Sequence, residues 1–400
     1  MSAAESQGRS LPLAGVKVIE FTHMVMGPVV GAILVELGAE VIRVEPLEGD
    51  ATRTLQGSGA GYFPMYNRNK RSVCLDVKHP DGLSLARRLI ATADVFVENF
   101  RPGALERLGL GYESLRPANP RLIYCSEKGF LAGPYENRTA LDEVVQMMAG
   151  LAYMTGPPGQ PLRAGASVID VTGGMFGVIA IFAALQERHR SGRGQKVTSA
   201  LFESAVYLVG QHMAQKAVTG RPAPPMPVRE SAWAIYEVFT TKDGAHIFLG
   251  IVSDGLWQKF CAAFGLDALG RDPRYSTNAQ RVQARADLIP EIRKLVRTFT
   301  KADLLSRLEL SGLPFAPVGK PEDLFEDAHL LASGGLITTR LPDGCETRLP
   351  LLPIELDNRR PTAGGRLAQP GEDTRAVLSA IGVSLDEIEA LVGNRVIAVS

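Results

Sequence analysis

Val16-Lys17-Val18-Ile19-Glu20-Phe21, then Thr22-His23-Met24-Val25-Met26-Gly27-Pro28, then Val29 to Leu37, Gly38, and Glu40 to Glu45 decide the fold. The first run is apolar and reads as a buried strand. The second is a loop. The third is helical and stops at Gly38, and the fourth is a second strand. Strand, loop, helix and strand in that order make a βαβ unit, which calls for a parallel sheet. The loop falls at the strand's carboxyl end, where open α/β sheets bind their ligands. It carries neither a Gly-x-Gly-x-x-Gly nor a Walker loop, which disfavours a dinucleotide dehydrogenase or a P-loop enzyme.

The alternation continues downstream. Strands are expected at Ser72–Val77, Val95–Phe100, Arg121–Ser126 and from Lys196, with helices at Asp81–Ala93, from Ala104 and on to about Ala217. This is a doubly wound α/β pattern. Arg221–Val228 is rich in proline and reads as a linker. Beyond it, Val238–Gly250 reads as a hairpin turning at Lys242-Asp243-Gly244, followed by helices at Leu256–Phe264, Arg281–Phe299 and Ala302–Ser311. A further hairpin is expected over Leu336–Leu352, and helices near Arg375–Ile381 and Leu385–Val392. The expected organisation is therefore a large domain over 1–225, a smaller α/β domain over 226–330, and a return to the large domain over 331–400.

Composition narrows the function. Of 400 residues, 43 are Lys or Arg and 43 are Asp or Glu, so the net charge is zero. That disfavours a nucleic-acid partner. The apolar run Met175–Leu185 is too short to span a membrane, and the first ten residues lack an apolar signal core. Four scattered cysteines and six histidines without ligand spacing give no zinc pattern and point to a reduced, cytoplasmic protein.

Two stretches stand out chemically. Asn67-Arg68-Asn69-Lys70-Arg71 is a basic cluster, either a solvated face or a phosphate site. Arg163-Ala164-Gly165-Ala166-Ser167-Val168-Ile169-Asp170-Val171-Thr172-Gly173-Gly174 places one carboxylate before paired glycines and an all-round apolar helix, which should be buried. Asp170 reads either as that helix's N-cap or as a reactive group. The glycines would let a ligand's backbone or thioester approach.

These blocks together resemble the class III CoA-transferases, the CaiB/BaiF family that includes formyl-CoA transferase and the α-methylacyl-CoA racemases. The resemblance covers nearly the whole chain. It is carried by Leu13–His23 with Gly27-Pro28, Asn69–Ser72, Val97–Gly103, Arg163–Gly174 and Gly192–Gln195. It implies a large Rossmann-like domain, a small domain and an interlocked homodimer, with the active site between the domains and CoA bound mainly by the large one. It maps the catalytic aspartate onto Asp170. It maps the CoA-lining positions onto His23, Met24, Val25, Met26, Leu75, Asn99, Phe100, Arg107 and Lys128, with Arg107 serving a CoA phosphate and Lys128 a phosphate or the adenine side. CoA and its thioesters are substrates, and no permanently bound cofactor is implied. The chemistry is carboxylate exchange through an aspartyl anhydride and an aspartyl-CoA thioester, with oxyanion donors expected near Gly173 and Gly174 or near Met24–Met26.

The rival within the family is racemisation, which needs opposed acid and base groups. In that branch a histidine follows an Asn-Arg pair. Here Asn137-Arg138 leads to Thr139-Ala140-Leu141-Asp142, and Leu141 cannot move a proton. A non-catalytic acyl-CoA binding protein is the other alternative, and the presence of Asp170 speaks against it. Met226–Trp233 lacks the glycine run of the formyl-CoA transferase loop. Arg138 and Arg163 could fork the distal carboxylate of a small dicarboxylic acid. Succinyl-CoA or a similar thioester is the expected donor.

Overall fold

The computed structural model describes residues 10–229 and 232–400, so the opening stretch up to residue 9 and Glu230 and Ser231 of the Met226–Trp233 loop lie outside the described residues. The chain divides into two compact units. One runs to Pro227 and resumes at Ala328; the other is Val228–Asp327.

The large unit is built on a seven-stranded sheet. Its strands are β1 (Lys17–Phe21), β2 (Glu40–Glu45), β3 (Arg71–Leu75), β4 (Val95–Glu98), β5 (Ile123–Lys128) and β6 (Lys196–Ala200), and the chain's last strand joins at one edge. The six named strands pair in parallel in the order β3-β2-β1-β4-β5-β6. The order reverses between β1 and β4, so the helices that follow these two neighbours pack on opposite faces of the sheet and a crevice opens at the strands' carboxyl ends.

Alternation along each strand feeds two cores. Phe21, Ile42, Val73, Phe96 and Tyr124 face one layer, and Val18, Val41, Val95, Val97 and Ile123 face the other. The first helix, Met26–Glu36, and the long helix, Val168–Ser191, cover the second layer through Val30, Leu34, Val178 and Ile181. The long helix has 24 residues, more than the run Met175–Leu185, and by length and composition alone it could cross a membrane. It packs instead on the first helix, β5 and β6. It is not buried on every side, because Met175, Ile179 and Phe182 are exposed.

The small unit has an antiparallel sheet of β7 (Ile235–Thr240), β8 (His246–Ile251) and β9 (Phe315–Pro317), packed on helices around Trp257 and Phe260. The expected single helix over Arg281–Phe299 is two, Asn278–Gln283 and Arg285–Val296. Thr277 and Gln280 form a capping box that starts the first of them early. After the small unit come the hairpin β10 (Leu336–Arg340) and β11 (Glu346–Pro350), then β12 (Ile397–Ala398), antiparallel on β3. The returning chain is stitched to β3, with Asp373 accepting from the Ser72 N–H at 2.9 Å.

The basic cluster is structural rather than a phosphate site. Lys70 is buried, and its Nζ donates to both Glu20 oxygens (2.9 and 2.8 Å), to Pro28 O (2.8 Å) and to Asn67 Oδ1 (3.1 Å). Burial pulls its pKa down to about 8. Arg43 also donates to Glu20 (2.8 Å) and reaches Asp50 (2.5 Å). Arg68 donates to Pro350 O, and Arg71 pairs with Glu40.

Candidate active site

The loops after β1 and β4 meet at the reversal of strand order. The Asn99 side chain accepts from the His23 N–H (3.0 Å) and donates to the His23 carbonyl (2.8 Å). The Phe100 ring meets the His23 ring edge-on at 5.6 Å. Met24 then takes a left-handed φ of 62°. The helix opens at Met26, and the bond from Val29 N to Val25 O is its first, which leaves the preceding N–H groups for a ligand or water. Burial, the largest influence on His23, lowers its pKa, so the ring is neutral at pH 7.

A cavity of about 710 Å³ opens here, lined by Phe21–Met24, Val44–Glu48, Asp50–Thr52, Leu75–Lys78 and Phe100. Of the expected CoA-lining residues it brings together His23, Met24, Leu75 and Phe100. Asn99 clamps its loop, and Val25 and Met26 are buried behind it. Arg107 is exposed on the short helix Ala104–Arg107. Lys128 lines a separate groove of about 280 Å³ and is paired with Glu98 at 2.7 Å. Lys78, which the sequence reading did not single out, also lines the larger cavity.

Asp170 is the third residue of the long helix and not its cap. Ser167 holds the cap position without a side-chain bond. The capping is done by Asp142, whose Oδ2 accepts from the N–H groups of Ile169 (2.8 Å) and Asp170 (3.0 Å). Asp142 is itself held by the Gln146 amide, and Gln146 Oε1 accepts from Ala164 N at 2.9 Å. Both residues are buried, at 4% and 0% exposure, so this clasp is fixed from below. The cap role is thereby filled from 28 residues upstream, and the Asp170 carboxylate is not needed for it. Burial, then the charges of Asp142 and Glu143, raise its pKa to about 7. The Tyr66 phenol is shifted up by burial and by the Asp170 charge, which makes it another neighbour that the sequence reading missed.

The paired glycines admit protein rather than ligand. A Cβ on Gly173 would lie 2.7 Å from Met26 Cε, and one on Gly174 would lie 2.7 Å from Met26 O. Both lie beyond the helix's first turn, where N–H groups are used by intrahelical bonds. They therefore cannot be the oxyanion donors, and the N–H groups around Met24–Met26 are the remaining ones of the two sets. Arg163 pairs with Glu143 at 2.6 Å, while Arg138 lies over the Tyr135 ring. Leu141 is 57% exposed and precedes the helix Asp142–Met148. Among the described residues no group of three or more His, Cys, Asp or Glu is placed to hold a metal ion.

The model of CoA-transferase family III matches residues 13–374. The succinate–glutarate CoA-transferase of Agrobacterium fabrum is 37% identical, over 90% of this chain and 95% of that protein. The succinyl-CoA–L-malate CoA-transferase beta subunit of Chloroflexus aurantiacus is 33% identical, over 97% of this chain and 98% of that one. A solved CaiB/BaiF family protein from Brucella suis superposes with a TM-score of 0.83 at 34% identity, covering 93% of this chain and all of that one.

Proposed function

The chain belongs to CoA-transferase family III, and from that premise we propose that Asp170 carries CoA from succinyl-CoA, or a thioester like it, to a small dicarboxylic acid. The observation that carries the proposal is a half-buried carboxylate whose helix is capped by another aspartate. The Asp170 oxygen attacks the thioester carbonyl, the C–S bond breaks, and a mixed anhydride and CoA thiolate result. The thiolate then attacks the aspartyl carbonyl of the anhydride. An aspartyl-CoA thioester forms and the donor acid leaves. The acceptor carboxylate attacks that thioester and releases the thiolate, which takes the acceptor's acyl group and regenerates Asp170. No net proton is transferred, so neutral His23 serves to orient CoA rather than as a base. N–H groups at the start of the first helix would receive each oxyanion.

His23, Met24, Val25, Met26, Leu75, Asn99 and Phe100 form or back the wall along which the pantetheine arm would lie. Arg107 is an exposed cation available to a phosphate. Arg163 would exchange Glu143 for the distal carboxylate of the acid. The dicarboxylates in the relatives' names support this choice of substrate class. An interlocked homodimer belongs to the same reading, supported by the apolar side chains of Met175, Ile179, Phe182, Tyr207, Leu208 and Met213 on the protomer surface. A cytoplasmic setting is supported by four unpaired cysteines. The test is CoA exchange from succinyl-CoA or acetyl-CoA into a panel of acids, read by mass spectrometry of the CoA products. Succinate-class dicarboxylates should be labelled first. Transfer only to monocarboxylates would overturn the substrate class, and transfer to none would overturn the activity.

A further inference from the structure

Glu98 ends β4 and is 2% exposed. Its carboxylate gathers three donors. Oε2 accepts from the Phe100 N–H at 2.9 Å, and Oε1 accepts from the Ser126 hydroxyl at 2.5 Å and from Lys128 Nζ at 2.7 Å. Lys128 Nζ also donates to the Phe100 carbonyl at 2.8 Å. The Phe100 N–H is therefore held from the end of its own strand and its carbonyl from the neighbouring one, as both backbone groups of His23 are held by Asn99. The two rings lock edge to face. Directly after them stands Met24 with its positive φ. A left-handed non-glycine residue is unfavourable and persists where its surroundings over-determine it. The surroundings here are this frame.

We propose that Glu98, Ser126 and Lys128 are positioning residues that brace Phe100 against His23 and so hold the Met24 turn, and that Lys128 acts through this brace rather than by binding a phosphate of CoA. The proposal rests on the CoA-transferase reading. Lys128 has three N–H donors, two are committed to Glu98 and Phe100, and the Glu98 carboxylate already balances its charge. A brace and a phosphate ligand differ in what they do to different donors. A lost phosphate contact penalises only thioesters that carry the phosphate. A loosened wall penalises every donor alike, and chiefly in kcat.

The test compares Lys128→Met with wild type, using succinyl-CoA, its 3′-dephospho analogue and succinyl-pantetheine as donors. The expected result is a fall in kcat of roughly tenfold to a hundredfold, by the same factor for all three. Lys128→Arg should restore part of it. Glu98→Gln combined with Lys128→Met should be less impaired than Lys128→Met alone, because no buried carboxylate is then left unpaired. The double variant also carries the donor comparison if the single one fails to fold. A loss confined to the phosphorylated donors, or an unchanged kcat, would overturn the brace. A wild-type protein that neither binds nor transfers CoA would instead overturn the functional reading and this proposal together.

Discussion

Asp170 is where two roles for one side chain separate. With Asp142 capping the helix, Asp170→Asn and Asp170→Ser should fold and bind CoA. Both should lose transfer by roughly four orders of magnitude or more, as nucleophile deletions do. Asp170→Glu should lose roughly a hundredfold, because a methylene misplaces the attacking oxygen. The pH dependence follows from a pKa of about 7. Attack needs the carboxylate, so formation of the enzyme intermediate should rise with pH and level off above neutrality. Stability runs the other way. An unfolded aspartate titrates at about 3.9, so the favourable protonated native form is fully present below that and is lost as pH rises through 7. Asp170→Asn should therefore gain Tm over wild type as pH rises across that window, while little difference remains at pH 4. A flat profile in both measurements would remove the perturbed carboxylate. Leu141 gives a second residue-level prediction. The α-proton of a 2-methylacyl-CoA should not exchange in deuterated water, and rapid exchange that survives Asp170→Asn would restore racemisation.

At the scale of elements, the first helix and the three strands beside it are joined by a buried ionic cluster. Lys70 and Glu20 are its centre, with Arg43 and Asp50 extending it toward the cavity. Breaking such a pair from one side leaves a buried charge, so Lys70→Met should cost about 3–5 kcal/mol, measured by urea denaturation. A change below about 1 kcal/mol would show that the cluster is solvated. This element also marks the limit of what the sequence reveals. β2 was legible residue for residue, because Val41, Ile42 and Val44 in a short stretch just after the helix-ending Gly38 have few other readings. The role of Lys70 was not, because Glu20 lies fifty positions away and a charge run looks alike on a surface or in a core. The clasp on Asp170 was hidden for the same reason. Asp142 and Gln146 hold the segment leading into Asp170 from a different helix, and no local pattern encodes that pairing. The paired glycines were visible as a need for space, but what fills it, Met26, lies far upstream.

For the whole molecule, the chain leaves the sheet-bearing unit at Pro227 and rejoins it at Ala328. The long helix exposes apolar side chains. A homodimer is expected in solution, and if the two chains interlock, its dissociation should coincide with unfolding. Light scattering through a denaturant titration checks this, and a folded, fully active monomer at micromolar concentration would contradict it. In the proposed mechanism, activity converges on one covalent event. Wild-type enzyme incubated with acyl-CoA alone and then with hydroxylamine should lose activity, and peptide mapping should find an aspartyl hydroxamate at Asp170. A hydroxamate on another carboxylate, or full activity after treatment, would contradict Asp170 as the residue that carries CoA.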